Sequence, residues 1–262
     1  MKISKNTKTV KILIVVFFLI LIGFVLWYSF SKYYSISDRT DKIKKEAMKG
    51  EYPVIGWVRV QGTNIDYPVI YALEENIDIN NIDPDYGFAW KNYYDLDNLN
   101  RKVLLGHNIR NVSSQPLINE KSFNNFENLP SFLYYSFVED NKYIQYSDEK
   151  DNYLYKIYAV YLQDGEDNNG LEQLTSEQMK KYIVEGKKKS YFDFDVDVNE
   201  KDKLITLTTC TRFFDSNSYS IVIDARMVRK DEKIKNYKVT KKSTYKKIEK
   251  YLKGDGENEE KA

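Results

Sequence analysis

Between residues 12 and 31 the chain reads ILIVVFFLILIGFVLWYSFS, 20 positions without a charge. At 1.5 Å rise per residue such a run predicts a helix of about 30 Å, the thickness of a bilayer's hydrocarbon core. Beyond it the pattern changes. SDRTDKIKKEAMKG predicts a short helix, with Ser37 or Asp38 as cap, Ile43 and Ala47 on one face and Gly50 at the position after the last turn. VIGWVRVQGTNIDYPVIYA alternates apolar and polar positions around Gln61–Asn64, the pattern of two strands joined by a turn.

Residues 74–100, rich in Asn and Asp and without clear period, predict a long polar connection. RKVLLGHN predicts a short buried strand ending at His107, and KYIQYS and YLYKIYAVYLQ predict two more. The rhythm then shifts to a helical one. In TSEQMKKYIVEGKKKS, Met179, Tyr182, Ile183 and Gly186 share a face, and Thr175 with Gln178 can close a capping box. KLITLTTC and YSIVIDARMV return to strand patterning, and a short helix with a frayed, charged tail is expected after about residue 240.

Many strands with one inserted helix predict a mainly β fold, a mixed β-barrel. The expected organisation is a basic N-terminus (1–11), a transmembrane anchor (12–31), a stalk helix (32–51), a β-domain (52–232) and a charged extension (233–262). Lys2, Lys5, Lys8 and Lys11 precede the apolar run, and Trp27 and Tyr28 lie near its far end. Positive-inside bias then puts the N-terminus in the cytoplasm and the β-domain outside. A cleaved signal peptide is the competing reading, but LWYSFSKYY lacks the small residues that suit cleavage.

Composition narrows the class. Aromatic residues make up 15% of the chain, with 23 tyrosines, which favours β-structure; 30% charged residues and five prolines speak against wholesale disorder. The net charge is +1, and residues 1–32 carry five lysines and no acid, so the remainder is at −4. A slightly acidic outer part argues against a partner that is nucleic acid. One cysteine excludes an internal disulfide, and one cysteine with one histidine excludes the usual zinc ligand sets. No cofactor is expected. Asp193, Asp195 and Asp197 alternate as in a calcium loop, but the sixth and twelfth positions hold Val198 and Leu204, not Gly and Glu, so a solvated acidic turn is expected. Asn111 opens an N-x-S sequon, a pattern common by chance.

The candidate chemistry lies in the lone Cys210 and the lone His107, each at the end of a predicted strand. Strand alternation puts Leu204, Thr206, Thr208 and Cys210 on one face. Taken singly, each is an ordinary core residue. Taken together they suit acyl transfer: an imidazolium stabilises the thiolate, then serves as acid and base, while a donor meets the developing oxyanion.

TLTTC, at residues 206–210, resembles the TLxTC signature of sortases, and LLGHN resembles their histidine segment. VIGWVRVQGTNIDYPVI and the helical insertion before the cysteine strand are similar to class B members in particular. The resemblance covers about Tyr52 to Val228. It implies a closed eight-stranded β-barrel with peripheral helices on the outer face of a Gram-positive membrane. It implies a transpeptidase that cleaves an NPxTx or LPxTG type sorting motif in secreted proteins. Cys210 would hold the thioester, His107 would be the acid/base partner, and a cell-wall peptide or pilin amine would be the acceptor. The family's arginine, early on the strand after the cysteine, aligns with Ser220, while Arg226 lies six residues further along. Arg212, two residues past Cys210, is the candidate substitute; otherwise backbone amides hold the oxyanion, or the enzyme is slow or inactive. Two other readings stay open: a sortase-fold protein that binds sorting signals or pilins without turnover, and an adhesive β-domain in which Cys210 is only core.

Overall fold

The computed structural model describes residues 4–31, 36–50, 52–71, 89–91, 100–108, 126–164, 173–211 and 219–253; within the first of these, side chains are described for 10–24, and for 89–91 the backbone alone. The chain divides into two compact units, Met1–Ser35 with Ile234–Asn236, and Ile36–Lys233 with Tyr237–Ala262.

The first unit contains helix α1 (Ser4–Ser31), which takes in the whole uncharged run. The expectation of a transmembrane helix is not supported: among the described residues no helix is long and apolar enough to cross a membrane. The described side chains of α1 stop short of the roughly 20 apolar positions a bilayer needs.

The second unit is the β-domain. Helix α2 (Thr40–Lys49) enters on Asp38, whose carboxylate accepts the Thr40 N–H at 2.9 Å, and it ends at Gly50 with φ of 71°, left-handed backbone that suits glycine. Ile43 is buried, but Ala47, expected on the same inward face, is exposed. In chain order the strands are β1 (Val54–Val60), β2 (Asp66–Tyr71), β3 (Ala89–Lys91), β4 (Arg101–Leu105), β5 (Tyr143–Ser147), β6 (Asn152–Asp164), β7 (Phe192–Phe194), β8 (Leu204–Thr211), β9 (Tyr219–Met227) and β10 (Val239–Lys241). Eight of them close into a barrel in the order β1-β2-β3-β4-β8-β9-β6-β5. The eight-stranded barrel expected from the resemblance is therefore present. Leu104, Ile205, Leu207, Ile221, Ile223 and Ala225, all fully buried, follow the period-2 rule and fill one face of its central strands.

Helix α4 (Ser176–Lys189) packs against β6. Its capping box forms as expected: Gln178 donates its backbone N–H to the Thr175 hydroxyl, and the Gln178 side-chain oxygen accepts the Thr175 N–H at 2.8 Å. Met179 and Ile183 are its buried apolar positions.

Several elements escaped the periodicity. FENLPSFLYYSFV folds as a 3-10 turn (Leu129–Leu133) and a single helical turn, α3 (Tyr135–Val138), and buries Phe126, Phe132 and Phe137. Its apolar residues follow neither period 2 nor 3.6, and Pro130 sits at the start of the turn. Strand β3 lies inside the expected polar connection. The acidic segment is also more structured than a solvated turn: Phe192 and Phe194 are buried, Asp193 between them is exposed, and the three pair with β10 as a two-stranded sheet. The terminal helix, α5 (Tyr245–Leu252), buries Tyr245 and Ile248, with the Tyr245 ring 4.8 Å from that of Phe192.

Candidate active site

Strands β4 and β8 run parallel, with Leu105 paired to Thr208. Parallel strands leave the sheet at the same rim, so the segments after both lie together. Three contacts prolong the ladder past its last pair. The Gly106 N–H donates to the Thr208 carbonyl (3.3 Å), the Thr209 hydroxyl to the Gly106 carbonyl (2.6 Å), and the Asn108 side-chain amide to the Cys210 carbonyl (2.9 Å). Counting on from Leu105 opposite Thr208, His107 stands level with Cys210, one strand spacing of about 4.8 Å away.

Each side of the pair is held locally. The His107 carbonyl accepts the Phe126 N–H at 3.0 Å. The Phe126 ring fills the place a side chain at Gly106 would need: a Cβ there would lie 2.5 Å from the ring. Close approach of the aromatic wall thus requires glycine immediately before the histidine. Cys210 is the one exposed residue of β8, and its thiol is free.

On the other side of β8 lies β9, antiparallel, with Ser220 directly opposite Cys210; across β9, Gln163 of β6 is opposite Ser220. Cross-strand partners share a face. Cys210, Ser220 and Gln163 therefore form one row over three adjacent strands at one rim, with His107 on the segment that leaves β4 beside β8. The register puts the two candidates named from sequence at one rim, and Ser220 is the cross-strand partner of the cysteine. Arg226 is at the far end of β9, opposite Leu204, where its guanidinium contacts Glu232 and the Asp197 carbonyl. Arg212 and the Asn111 sequon lie outside the described residues. Gln163 was not singled out from sequence, although the alternation of YLYKIYAVYLQ puts it on one face with Tyr161.

Farther down the same face, under α4, a buried polar cluster ties the helix to the strands. Asp224 of β9 accepts hydrogen bonds from the hydroxyls of Thr206 (2.6 Å), Tyr182 (2.5 Å) and Tyr161 (3.2 Å). The Arg101 Nε–H donates to Thr206, and its guanidinium lies 4.1 Å from the Tyr182 ring centre. Burial pushes the Asp224 carboxyl above its ordinary value, against the opposing pull of Arg101 and the three hydroxyls. Burial, and then the Asp224 charge, likewise push the Tyr182 phenol up. Among the described residues, no group of His, Cys, Asp and Glu side chains could hold a metal ion.

An exposed thiol level with an imidazole, on a rim whose strands are fixed by the barrel, can attack a carbonyl and shuttle the accompanying proton. Comparison with known proteins agrees. The family model for the sortase domain matches residues 58–228. Sortase B of Staphylococcus aureus (strain NCTC 8325 / PS 47) is 26% identical over 200 residues, covering 73% of this chain and 74% of the relative. Sortase B of Listeria monocytogenes (serovar 1/2a) is 25% identical over 197 residues, covering 71% and 74%. Among solved structures, Clostridium perfringens sortase B superposes with a TM-score of 0.58 at 25% identity, covering 71% of this chain and all of that one.

Proposed function

Because the chain belongs to the sortase family, is class B-like and is thus a cysteine transpeptidase, we propose that Cys210 is its nucleophile and His107 its general acid and base. The observation that carries this assignment is the parallel register of β4 and β8, which sets the only histidine level with the only cysteine, whose thiol is exposed and free. The Cys210 thiolate attacks the carbonyl carbon of a threonine in a sorting motif of NPxTx or LPxTG type. The tetrahedral adduct collapses with cleavage of the C–N bond, and the His107 imidazolium gives its proton to the departing amine. A thioester is left on Cys210. An acceptor amine, from a cell-wall peptide or a pilin lysine, attacks that thioester and loses its proton to His107. The C–S bond breaks, which restores the thiolate and joins the product by a new amide. Arg212 is the candidate cation for the carbonyl oxygen.

The acceptor assignment draws on a sortase B solved in complex with triglycine, and the donor assignment on a Staphylococcus aureus sortase B solved with substrate. The same reading places the enzyme at the cell membrane of a Gram-positive organism, single-pass, with its N-terminus cytoplasmic and its catalytic domain outside. It is supported by the uncharged run after four lysines and by the exposure of α1: Ile12, Phe17, Ile20 and Phe24 are each more than 60% exposed, and such side chains call for lipid rather than water.

The test uses the full chain in detergent with a panel of fluorogenic NPxTx and LPxTG peptides and hydroxylamine. An acyl adduct on Cys210 and a hydroxamate product, both absent from Cys210→Ala, are expected. A folded chain with an accessible thiol that binds peptide but yields neither would sink the transpeptidase reading in favour of a binding protein. Ser220, standing where the resemblance places arginine, is the observation behind that second reading.

A further inference from the structure

The row at the rim ends on Gln163, which is 6% exposed. Among the described residues its side-chain amide has no hydrogen-bond partner. Its neighbours in the row give the amide a direction it can take. Gln163, Ser220 and Cys210 are consecutive cross-strand partners, so their side chains rise from one face, and the middle one is short. Gln163 and Cys210 are two strand spacings apart, about 10 Å between backbones. A glutamine side chain spans about 5 Å. A glutamine side chain that leans across the short serine therefore reaches toward the thiol.

Resting on the cysteine transpeptidase reading above, the geometry points to Gln163 as a hydrogen-bond donor to the scissile carbonyl oxygen as Cys210 attacks it. Its amide N–H meets the oxygen as negative charge develops there, so the bond strengthens in the transition state. A serine at 220 is what makes this possible, because a long side chain there would fill the space that the amide must cross. Gln163 and Ser220 together then do what one arginine at position 220 would do. The glutamine belongs to the barrel itself, whereas Arg212 lies outside the described residues. A neutral donor differs from a guanidinium in one respect. It leaves the charge on the Cys210 thiolate unchanged and acts only on the oxyanion.

The experiment separates acylation from thiol reactivity. The full chain, Gln163→Leu, and Gln163→Leu with Ser220→Arg are each reacted with a cleavable sorting-motif peptide and hydroxylamine. Each is also alkylated at Cys210 with iodoacetamide, a displacement that forms no oxyanion. Gln163→Leu is expected to slow hydroxamate formation on the order of 100-fold, with alkylation within about twofold of the parent. Adding Ser220→Arg is expected to restore most of the lost rate. Undiminished acylation by Gln163→Leu overturns the inference, as does a parallel loss of acylation and alkylation, which would make Gln163 a packing residue. Failure of Ser220→Arg to restore acylation in a normally alkylated chain overturns the equivalence of the two positions. Absence of any acyl adduct from the unsubstituted chain, by contrast, fails the transpeptidase reading itself, and the inference falls with it.

Discussion

Cys210 and Ser220 are cross-strand partners of β8 and β9, side chains on one face, at the rim where β4 also ends. The pairing decides the character of the site. On one flank the cysteine has His107, held beside β8 by contacts through Gly106, Thr209 and Asn108. On the other it has a residue too short to carry charge to the carbonyl. On the proposed reading, His107 carries the proton and oxyanion binding falls to other groups.

Substitution at the pair separates chemistry from folding. Cys210→Ala is expected to abolish thioester formation, and His107→Ala to lower kcat by about 10²–10⁴-fold. Because Cys210 is exposed, its loss leaves no cavity and the melting temperature stays within a few degrees of the parent. Peptide cleavage assays and thermal melts measured on the same samples check this. A Cys210→Ala chain that melts far lower would return the thiol to a structural role.

Asp224 is the anchor of α4. Asp224→Ala strands the hydroxyls of Thr206, Tyr182 and Tyr161 and should cost about 2–4 kcal/mol in urea unfolding. The pH dependence follows from burial, which holds this carboxyl above its ordinary value of 3.8. A raised folded value means that the fold favours the neutral form. The contribution is therefore fullest below about pH 4 and falls as pH rises through the folded value. Asp224→Asn is free of this loss, so its stability relative to the parent should improve from pH 4 to 7. An unchanging difference across that range would show that the carboxylate is not destabilised by its surroundings.

Glu232 behaves in the opposite sense. Burial pushes its carboxyl up, but hydrogen bonds from Arg226 and Lys156 outweigh it and bring the value down from 4.5 to about 2. The ion pair stabilises the fold above about pH 4.5, and its contribution is lost as pH falls toward 2. Arg226 is 2% exposed and Glu232 25%. Glu232→Gln should cost about 2 kcal/mol at pH 7, less than a fully buried pair, because water still screens the carboxylate. Denaturant melts at pH 7 and pH 2 test it. A cost that persists at pH 2 would point to packing instead of charge.

Gly106→Ala tests the aromatic wall behind His107. The added methyl would meet the Phe126 ring at 2.5 Å, so ring or backbone must move. A destabilisation of about 1–3 kcal/mol is expected. Because the moving backbone carries the imidazole, kcat should fall by more than tenfold at temperatures where the variant is fully folded. Full activity in a folded Gly106→Ala chain would show that the histidine is positioned without this contact.

Much of this protein was legible because much of it is local. The 3.6 period and capping box of α4, the alternation of β8 and β9, and the glycine at the end of α2 act over a few residues, and the structure reproduces them. The TLTTC and LLGHN segments carried the family, the barrel and the two candidate side chains. The elements that escaped are those whose shape is imposed from outside: Phe126–Val138 folds irregularly because its rings fill a space left by other elements, and Phe192–Phe194 becomes a strand only through β10. The composition of the rim belongs to the same class. That Thr209 bonds Gly106 across 103 residues, that Ser220 faces the thiol, and that Gln163 completes the row depend on the pairing and register of strands distant in sequence. The sequence by itself determined which side chains can do the chemistry and on which face of each strand they lie. Closure of the barrel decided which of them meet, because register is a property of the whole sheet and no single strand encodes its neighbour.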